Sequence, residues 1–173
     1  MGTFVGSRPR SIRSAPEALG DATTLNEILE ARALIEPMVA RLAAQRAEEA
    51  DVQMIERYAA AANAARSWAE WEKWDDLLHR AIAEASGNGL LINAIDHLFR
   101  VKMHRRWTIQ RAANFNGALT ARYGREHTAI ISRIVGRDCE GAEAAMRRHM
   151  VGLSMTVGPA ISNKAPQTAK VDE

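Results

Sequence analysis

Apolar residues recur along most of the chain with the spacing of an amphipathic helix. After Thr24 they mark one helix face that contains Leu25, Ile28, Leu29, Ile35, Val39, Leu42 and Ala43. Thr24 and Glu27 have the spacing of a capping box, which predicts that this helix begins directly after Thr24. Pro37 falls on the opposite face, so we expect it to bend the helix toward solvent rather than to end it.

Capping and stop signals divide the following sequence into five more helices. Four of them are expected over about residues 51–65, 67–87, 89–111 and 118–135, and a sixth helix, capped by Asp138, runs to about residue 157. Ser67 and Glu70 repeat the capping-box spacing at the third helix, and Gly87 suits the left-handed position at its end. Asn88 can cap the fourth helix.

The two ends of the chain lack this periodicity. Residues 1–22 are rich in Gly, Pro and Ser, which is typical of a linker, and residues 159–173 are polar, which predicts a disordered tail. We therefore expect one helical domain over residues 23–158. Its fold class is all-α, an antiparallel bundle of about six helices with short connections.

The composition supports a single helical domain and excludes several other classes of protein. The chain has 173 residues, of which 47% are hydrophobic and 32 are alanine. A net charge of +2 is too balanced to predict nucleic-acid binding by the whole surface. The sequence has neither a run of about 18 apolar residues, which a membrane span requires, nor a signal peptide. Cys139 is the single cysteine, so we expect a reducing cytoplasm.

Two histidines interrupt the predicted apolar faces. His127 lies in the middle of an apolar arc on the fifth helix, and His149 does so on the sixth. They are separated by similar lengths of helix from the turn at residues 136–138, so antiparallel packing brings them to nearly the same level. Two inward imidazoles at one level can chelate a single metal ion.

The third helix adds an acid and a further histidine. Asp75 and His79 are spaced i, i+4, which places both on one helix face within reach of a shared ion. Asp76 falls toward solvent, so Asp75 is the stronger candidate of the two acids. Neutral imidazoles with one carboxylate suit Zn, Ni, Mn or Fe, and spacing alone does not choose among them. The alternative is that these histidines are hydrogen-bonded core residues.

The remaining polar residues leave two questions open. His97 and His104 lie at the edge of the stripe of the fourth helix, which favours a surface or supporting role. The same helix carries a basic run that predicts a solvated face, although one of its arginines could face an anionic ligand; the run contains Arg100, Lys102, Arg105, Arg106 and Arg111. On the first helix, Arg32 and Glu36 lie within the apolar arc. They form either an inward ion pair or a site in which Arg32 binds a carboxylate in a cavity.

These motifs together resemble the FadR C-terminal (FCD) domain, the effector-sensing half of one branch of GntR-type bacterial transcriptional regulators. Glu30-Ala-Arg-Ala-Leu-Ile-Glu36-Pro37, followed by Ala40-Arg-Leu-Ala-Ala44, is similar to the first helix of that domain. Asp75-Asp-Leu-Leu-His79 and then Ala85-Ser-Gly-Asn88 resemble its D-x-x-F-H…S-G-N stretch, with Leu78 where phenylalanine is usual.

The end of the chain continues the resemblance. Glu126-His127, Gly136-Arg-Asp138 and the segment from Ala142 to His149 resemble the closing E-H…G-D…A…M-x-x-H pattern of the family. Each motif is weak alone, but their order and spacing are specific. The resemblance covers about residues 24–155.

The resemblance implies a metal-containing member of the family. In many members one Asp and three His hold a divalent metal inside the bundle, and the matching positions are Asp75, His79, His127 and His149. The metal of the family commonly helps to bind small carboxylates such as hydroxy or sugar acids, and the arginine that matches Arg32 is often near that effector. Members related to the fatty acyl-CoA sensor lack the histidines, which argues against acyl-CoA here.

The resemblance also implies the partners. GntR-type winged helices commonly end in G-T-F-V, and Gly2-Thr3-Phe4-Val5 looks like the last piece of such a wing. We therefore expect a ligand-sensing domain that is not an enzyme, that reaches operator DNA only through a winged helix absent from this chain, and that forms a homodimer. Two alternatives remain: a metal-dependent, hydrolase-like bundle enzyme, and a metal-free helical interaction domain.

Overall fold

The computed structural model describes residues 23–103 and 116–157, and helices account for most of them. The helices are α1 (Leu25–Arg46), α2 (Glu49–Ala64), α3 (Trp68–Ala85), α4 (Gly89–Lys102), α5 (Gly117–Val135) and α6 (Cys139–Val157). No strand occurs within these two ranges. The predicted all-α bundle is therefore confirmed. The predicted linker and the predicted disordered tail lie outside the described residues.

Local capping interactions set most of the helix ends. The Thr24 amide donates to Glu27 at 2.6 Å and the Glu27 amide donates back to the Thr24 hydroxyl at 3.2 Å, so this capping box forms in full. Only half of the second predicted box forms. The Glu70 amide donates to Ser67, whereas the Glu70 carboxylate accepts from the Arg66 amide.

Two predicted boundaries differ from the structure. Helix α2 begins at Glu49, two residues before the predicted start, because Glu48 serves as its N-cap. Helix α4 ends at Lys102 with Met103 as its C-cap, so the prediction of a helix to residue 111 is wrong at this boundary. Residues 104–115, which include His104 and the three last arginines of the basic run, lie outside the described part of the chain.

Helix α1 is at the centre of the bundle, where it packs against α3, α4, α5 and α6. Arg41 pairs with Glu143, and Arg137 donates to the carbonyl of Ala44. The contact of Ala44, near the end of α1, is with the turn before α6, whereas Arg41, which comes earlier in α1, contacts a residue within α6. The two helices are therefore antiparallel. The inner faces of α1 and α6 carry three buried polar residues, namely Arg32, Glu36 and His149.

The position of Pro37 corrects a prediction. The residue is buried, not turned toward solvent, and α1 continues through it. Since helices pack on several sides of α1, its buried arc is wider than the stripe of a helix with one covered face. In contrast, Ile35 and Leu42 of the predicted apolar face are only half-buried. None of the described helices is long and apolar enough to cross a membrane.

Candidate metal centre

Three histidines from three helices meet in the interior of the bundle. His79 of α3, His127 of α5 and His149 of α6 are each at most 3% exposed. Their ring centroids are 4.7–5.4 Å apart. One ligand nitrogen from each ring lies within 4.8 Å of the other two. The bundle thus brings together all three histidines that the sequence indicated.

Asp75, one turn before His79, lies beside two of these histidines but outside the mutually close set that the three ring nitrogens form among the described residues. Its Oδ1 atom lies 3.4 Å from Nε2 of His127 and 3.9 Å from Nε2 of His79. The neighbouring acid Asp76 has a side chain that is 16% exposed and pairs with the ammonium group of Lys102. The prediction that Asp76 faces solvent is therefore wrong in part, because α4 covers it.

Two glutamates hold the outer nitrogens of the histidines. Glu36 Oε2 lies 2.5 Å from Nδ1 of His79, and Glu126 Oε2 lies 2.7 Å from Nδ1 of His149. With Nδ1 engaged in this way, each ring is left with Nε2 for a ligand. A carboxylate behind an imidazole is the usual support of a metal-binding histidine, since it sets the ring orientation and raises its basicity.

Each of these glutamates is itself held by an arginine four residues earlier on the same helix. Arg32 Nε donates to Glu36 at 2.5 Å, and Arg122 Nε donates to Glu126 at 2.8 Å. The structure therefore contains two Arg–Glu–His chains, one from α1 and one from α5. Sequence reasoning missed the supporting role of both glutamates. The signal was the Arg-x-x-x-Glu spacing shared by two helices with inward polar residues.

Buried atoms without partners mark the middle of the cluster. Oδ1 of Asp75, Nε2 of His79 and Nε2 of His127 have no hydrogen-bond partner among the described residues. Leaving a buried polar atom unsatisfied costs about 1–3 kcal/mol, so such atoms rarely gather without a missing partner. One carboxylate oxygen and imidazole nitrogens that face each other are a donor set suited to a divalent transition metal, so the residues present fit such an ion.

The electrostatics keep these groups in the form that binds a metal. Burial lowers the pKa of His127, and His149 lowers it further, while burial also lowers the pKa of His149. Burial opposes ionisation of Asp75, but His79 and His127 outweigh it and hold its pKa below the ordinary value. A lowered pKa favours the neutral form of His127 and His149 and the ionised form of Asp75, and these are the forms that bind a metal.

Arg32 enters the same interior from α1 and is 1% exposed. Burial opposes its charge, but the Glu36 carboxylate outweighs this effect and raises the pKa of Arg32. The inward ion pair of the sequence alternatives is thus formed. Its guanidinium carbon lies 5.0 Å from the centre of the Phe99 ring, and Nη2 has no hydrogen-bond partner in the described part of the chain. The pair therefore still offers a buried donor.

Two polar residues of α4 differ in their exposure. His97 is exposed, in agreement with a surface role. Lys102, in contrast, is 1% exposed, with its ammonium group beside Asp76 and 5.1 Å from the Phe99 ring centre. The prediction of a solvated face is wrong for this residue, because α3 supplies acidic partners that the spacing along α4 does not reveal.

The fold and the cluster together define an all-α domain with a buried histidine–carboxylate centre. The FCD domain family matches residues 27–152, and the chain belongs to this family. Among solved structures, E. coli McbR/YncC is similar, with a TM-score of 0.66 and 19% identity over 78% of this chain. The match spans 65% of that chain, and this likeness concerns the fold. No curated protein matches the sequence significantly.

Proposed function

We propose that this chain is the ligand-sensing domain of a GntR-type transcriptional regulator and that it binds a divalent metal through Asp75, His79, His127 and His149. Membership of the FCD family supports the regulator domain. The observation that carries the metal proposal is the set of three buried ligand atoms that make no hydrogen bond within the described ranges, of which two belong to histidines and one to Asp75. A metal-free domain would be expected to satisfy its core histidines internally.

The carboxylate of Asp75 also favours a bound cation, because it is buried beside the Nε2 atoms of His79 and His127, which make no hydrogen bond within the described ranges. A buried carboxylate is costly in a medium of low dielectric constant, and a divalent ion next to it would offset part of that cost. Zn, Ni, Mn and Fe all accept such a ligand set.

The proposed effector is a small carboxylate. The free donor of Arg32 can bind a carboxylate oxygen, since the planar guanidinium matches that group. The metal, when bound, would supply a second positive centre that attracts the acid. Arg32, Glu36 and His79 form one connected chain, so an effector on Arg32 acts on the support of a metal ligand.

The Arg32–Glu36–His79 contacts also suggest how effector binding could affect the rest of the protein. Arg32 and Glu36 belong to α1, which is the first described helix and follows the segment that resembles a wing. An effector that favours one placement of α1 would shift the population of bundle geometries. In a homodimer this shift would change the separation of two attached winged helices and therefore their fit to operator DNA.

A hydrolytic role is the weaker proposal. An enzyme of this type needs a free general base near the ion. Glu36 is the buried carboxylate behind His79, and its two oxygens are engaged by Arg32 and His79. Family membership also points to a binding domain rather than an enzyme.

Metal analysis followed by effector screening tests the proposal. Protein purified without a His tag should contain a divalent metal, and a panel of small hydroxy and sugar acids should raise the melting temperature only when the metal is present. Arg32→Lys should still bind the metal but no longer bind the acid, because lysine keeps the positive charge but lacks the planar pair of N–H donors. Absence of metal, with no stabilisation by added Zn or Ni, would overturn the metal proposal. Consumption of an acid at enzyme-like rates would overturn the sensor.

A further inference from the structure

A pocket of about 310 Å³ lies on the outside of the candidate centre, between α3 and α4. Helix α3 contributes Asp76, Leu77 and Arg80 to its wall, and α4 contributes Phe99 and Arg100. The volume is at the lower end of the range of small-molecule sites, which is roughly 300–1,000 Å³. The α3 residues of this wall lie on the same helix as Asp75 and His79.

The Phe99 ring separates this pocket from the centre. One side of the residue lines the pocket, while the ring lies 5.0 Å from the Arg32 guanidinium carbon and 6.2 Å, edge-on, from the His79 ring. The four candidate ligands are at most 3% exposed. A small acid that reaches Arg32 from solvent must therefore cross a protein wall, and at this place the wall is one aromatic side chain.

The neighbouring part of the wall is tied down. Lys102 of α4 pairs with Asp76 of α3 next to Phe99, and this pair links the two helices. Breaking a buried ion pair is costly because an uncompensated charge remains. Rotation of the Phe99 ring into a pocket that already exists gives up its contacts with Arg32 and Lys102 but breaks no ion pair. The ring is thus the part of this wall that can move most easily.

We propose that the pocket between α3 and α4 is the entrance to the metal centre and that Phe99 is the residue that limits the size of the acid that binds there. The inference rests on the proposed effector function. On this proposal a short carboxylic acid binds beside Arg32 while the Phe99 ring stays in place. A longer acid displaces the ring and extends into the outer pocket.

Metal uptake tests the barrier without any effector. Trp71 stacks on Tyr123 at 5.6 Å, and Tyr123 contacts His149 at 5.7 Å, so Co²⁺ arriving at the centre should quench tryptophan fluorescence. In metal-stripped protein, Phe99→Leu should take up Co²⁺ about tenfold faster than the wild type, and Phe99→Trp more slowly. Leu77→Ala, which enlarges the outer pocket and leaves the ring in place, is the matched control and should keep the wild-type rate.

Acid length tests the size limit. Straight-chain 2-hydroxy acids of increasing length should be titrated calorimetrically into the Co²⁺-loaded wild type, Phe99→Leu and Leu77→Ala. We expect Phe99→Leu to shift the preference toward longer acids and to improve the binding of a longer acid by about tenfold. An unchanged preference in a variant with wild-type circular dichroism would overturn the size limit.

The Co²⁺ uptake rates and the acid titrations can fail independently, so they distinguish this inference from the proposed function. If no acid binds the metal-loaded wild type, the effector proposal fails and the size limit fails with it, while the uptake rates still decide whether Phe99 is the barrier. Equal Co²⁺ uptake by the wild type, Phe99→Leu and Phe99→Trp would overturn the entrance. Faster Co²⁺ uptake in Leu77→Ala than in Phe99→Leu would also overturn the proposal that Phe99 closes the entrance.

Discussion

The Nδ1 atom of His79 lies 2.5 Å from Oε2 of Glu36, and this contact joins α3 to α1 across the middle of the bundle. It holds one ring nitrogen of His79 and leaves the other toward Asp75, whose Oδ1 is 3.9 Å away. Since Glu36 also accepts from Arg32, the contact connects a proposed metal ligand to the proposed effector contact. The stability and the metal affinity of the centre should depend on this contact and on its counterpart at His149.

Removal of one central histidine should abolish metal stabilisation. Saturation at about 100 times Kd stabilises a folded protein by about 2.7 kcal/mol, which corresponds to a rise in Tm of roughly 5–10 °C for a chain of this size. His127→Ala should lose this rise with Zn or Ni because it deletes a buried ligand. His97→Ala, which removes an exposed histidine, should keep it. A full rise in His127→Ala would show that the metal binds elsewhere.

The second glutamate should tune metal affinity without being a ligand. Glu126→Gln removes the charge behind His149 while it preserves the size of the side chain. We expect the affinity for Zn to fall by about 10–100-fold, as for other carboxylates that support a metal-binding histidine. Competition with a chelating indicator measures this change. Glu143→Gln, which alters an acid paired with surface arginines, is the control, and equal affinities in the two variants would contradict the role of Glu126.

Glu36 should matter for stability even without a metal. Glu36→Gln leaves the buried Arg32 without its counter-charge, and loss of one partner of a buried pair costs about 3–5 kcal/mol. Urea unfolding of the metal-stripped protein should show a loss of this size. The exposed Glu30 on the same helix provides the comparison, since Glu30→Gln should change the unfolding free energy by less than about 0.5 kcal/mol. A similar small effect at Glu36 would argue against a stabilising ion pair.

One glycine should be required by its backbone conformation. Gly87 follows α3 with φ of +63°, in the left-handed region, so Gly87→Ala should cost about 1 kcal/mol. Gly117 at the start of α5 has open space where a Cβ would be added, and Gly117→Ala should leave stability unchanged or slightly increased. Thermal unfolding of the two variants checks this difference. Equal losses would mean that the turn at Gly87 adapts to a side chain.

Local signals predicted the helices well, because periodicity and caps depend on neighbours in the sequence. The Thr24–Glu27 box and the left-handed Gly87 are features of this kind. The inward direction of His127 and His149 could also be predicted, since it depends only on their position within one apolar arc. The prediction was wrong where burial depends on another helix. Lys102 and Pro37 are buried by other helices of the bundle, and the spacing along their own helix does not reveal this cover.

The amino-acid pattern was enough to predict a helical bundle with Asp75 and three histidines on inner faces, because helix period and spacing carry that information along a single segment. The resemblance of its motifs to the FCD family added the type of bundle. The pattern did not reveal which atoms face each other in the folded bundle: Glu36 and Glu126 lie behind two histidines, and Phe99 lies between the outer pocket and Arg32. These contacts join residues of different helices, and their geometry depends on how the helices pack.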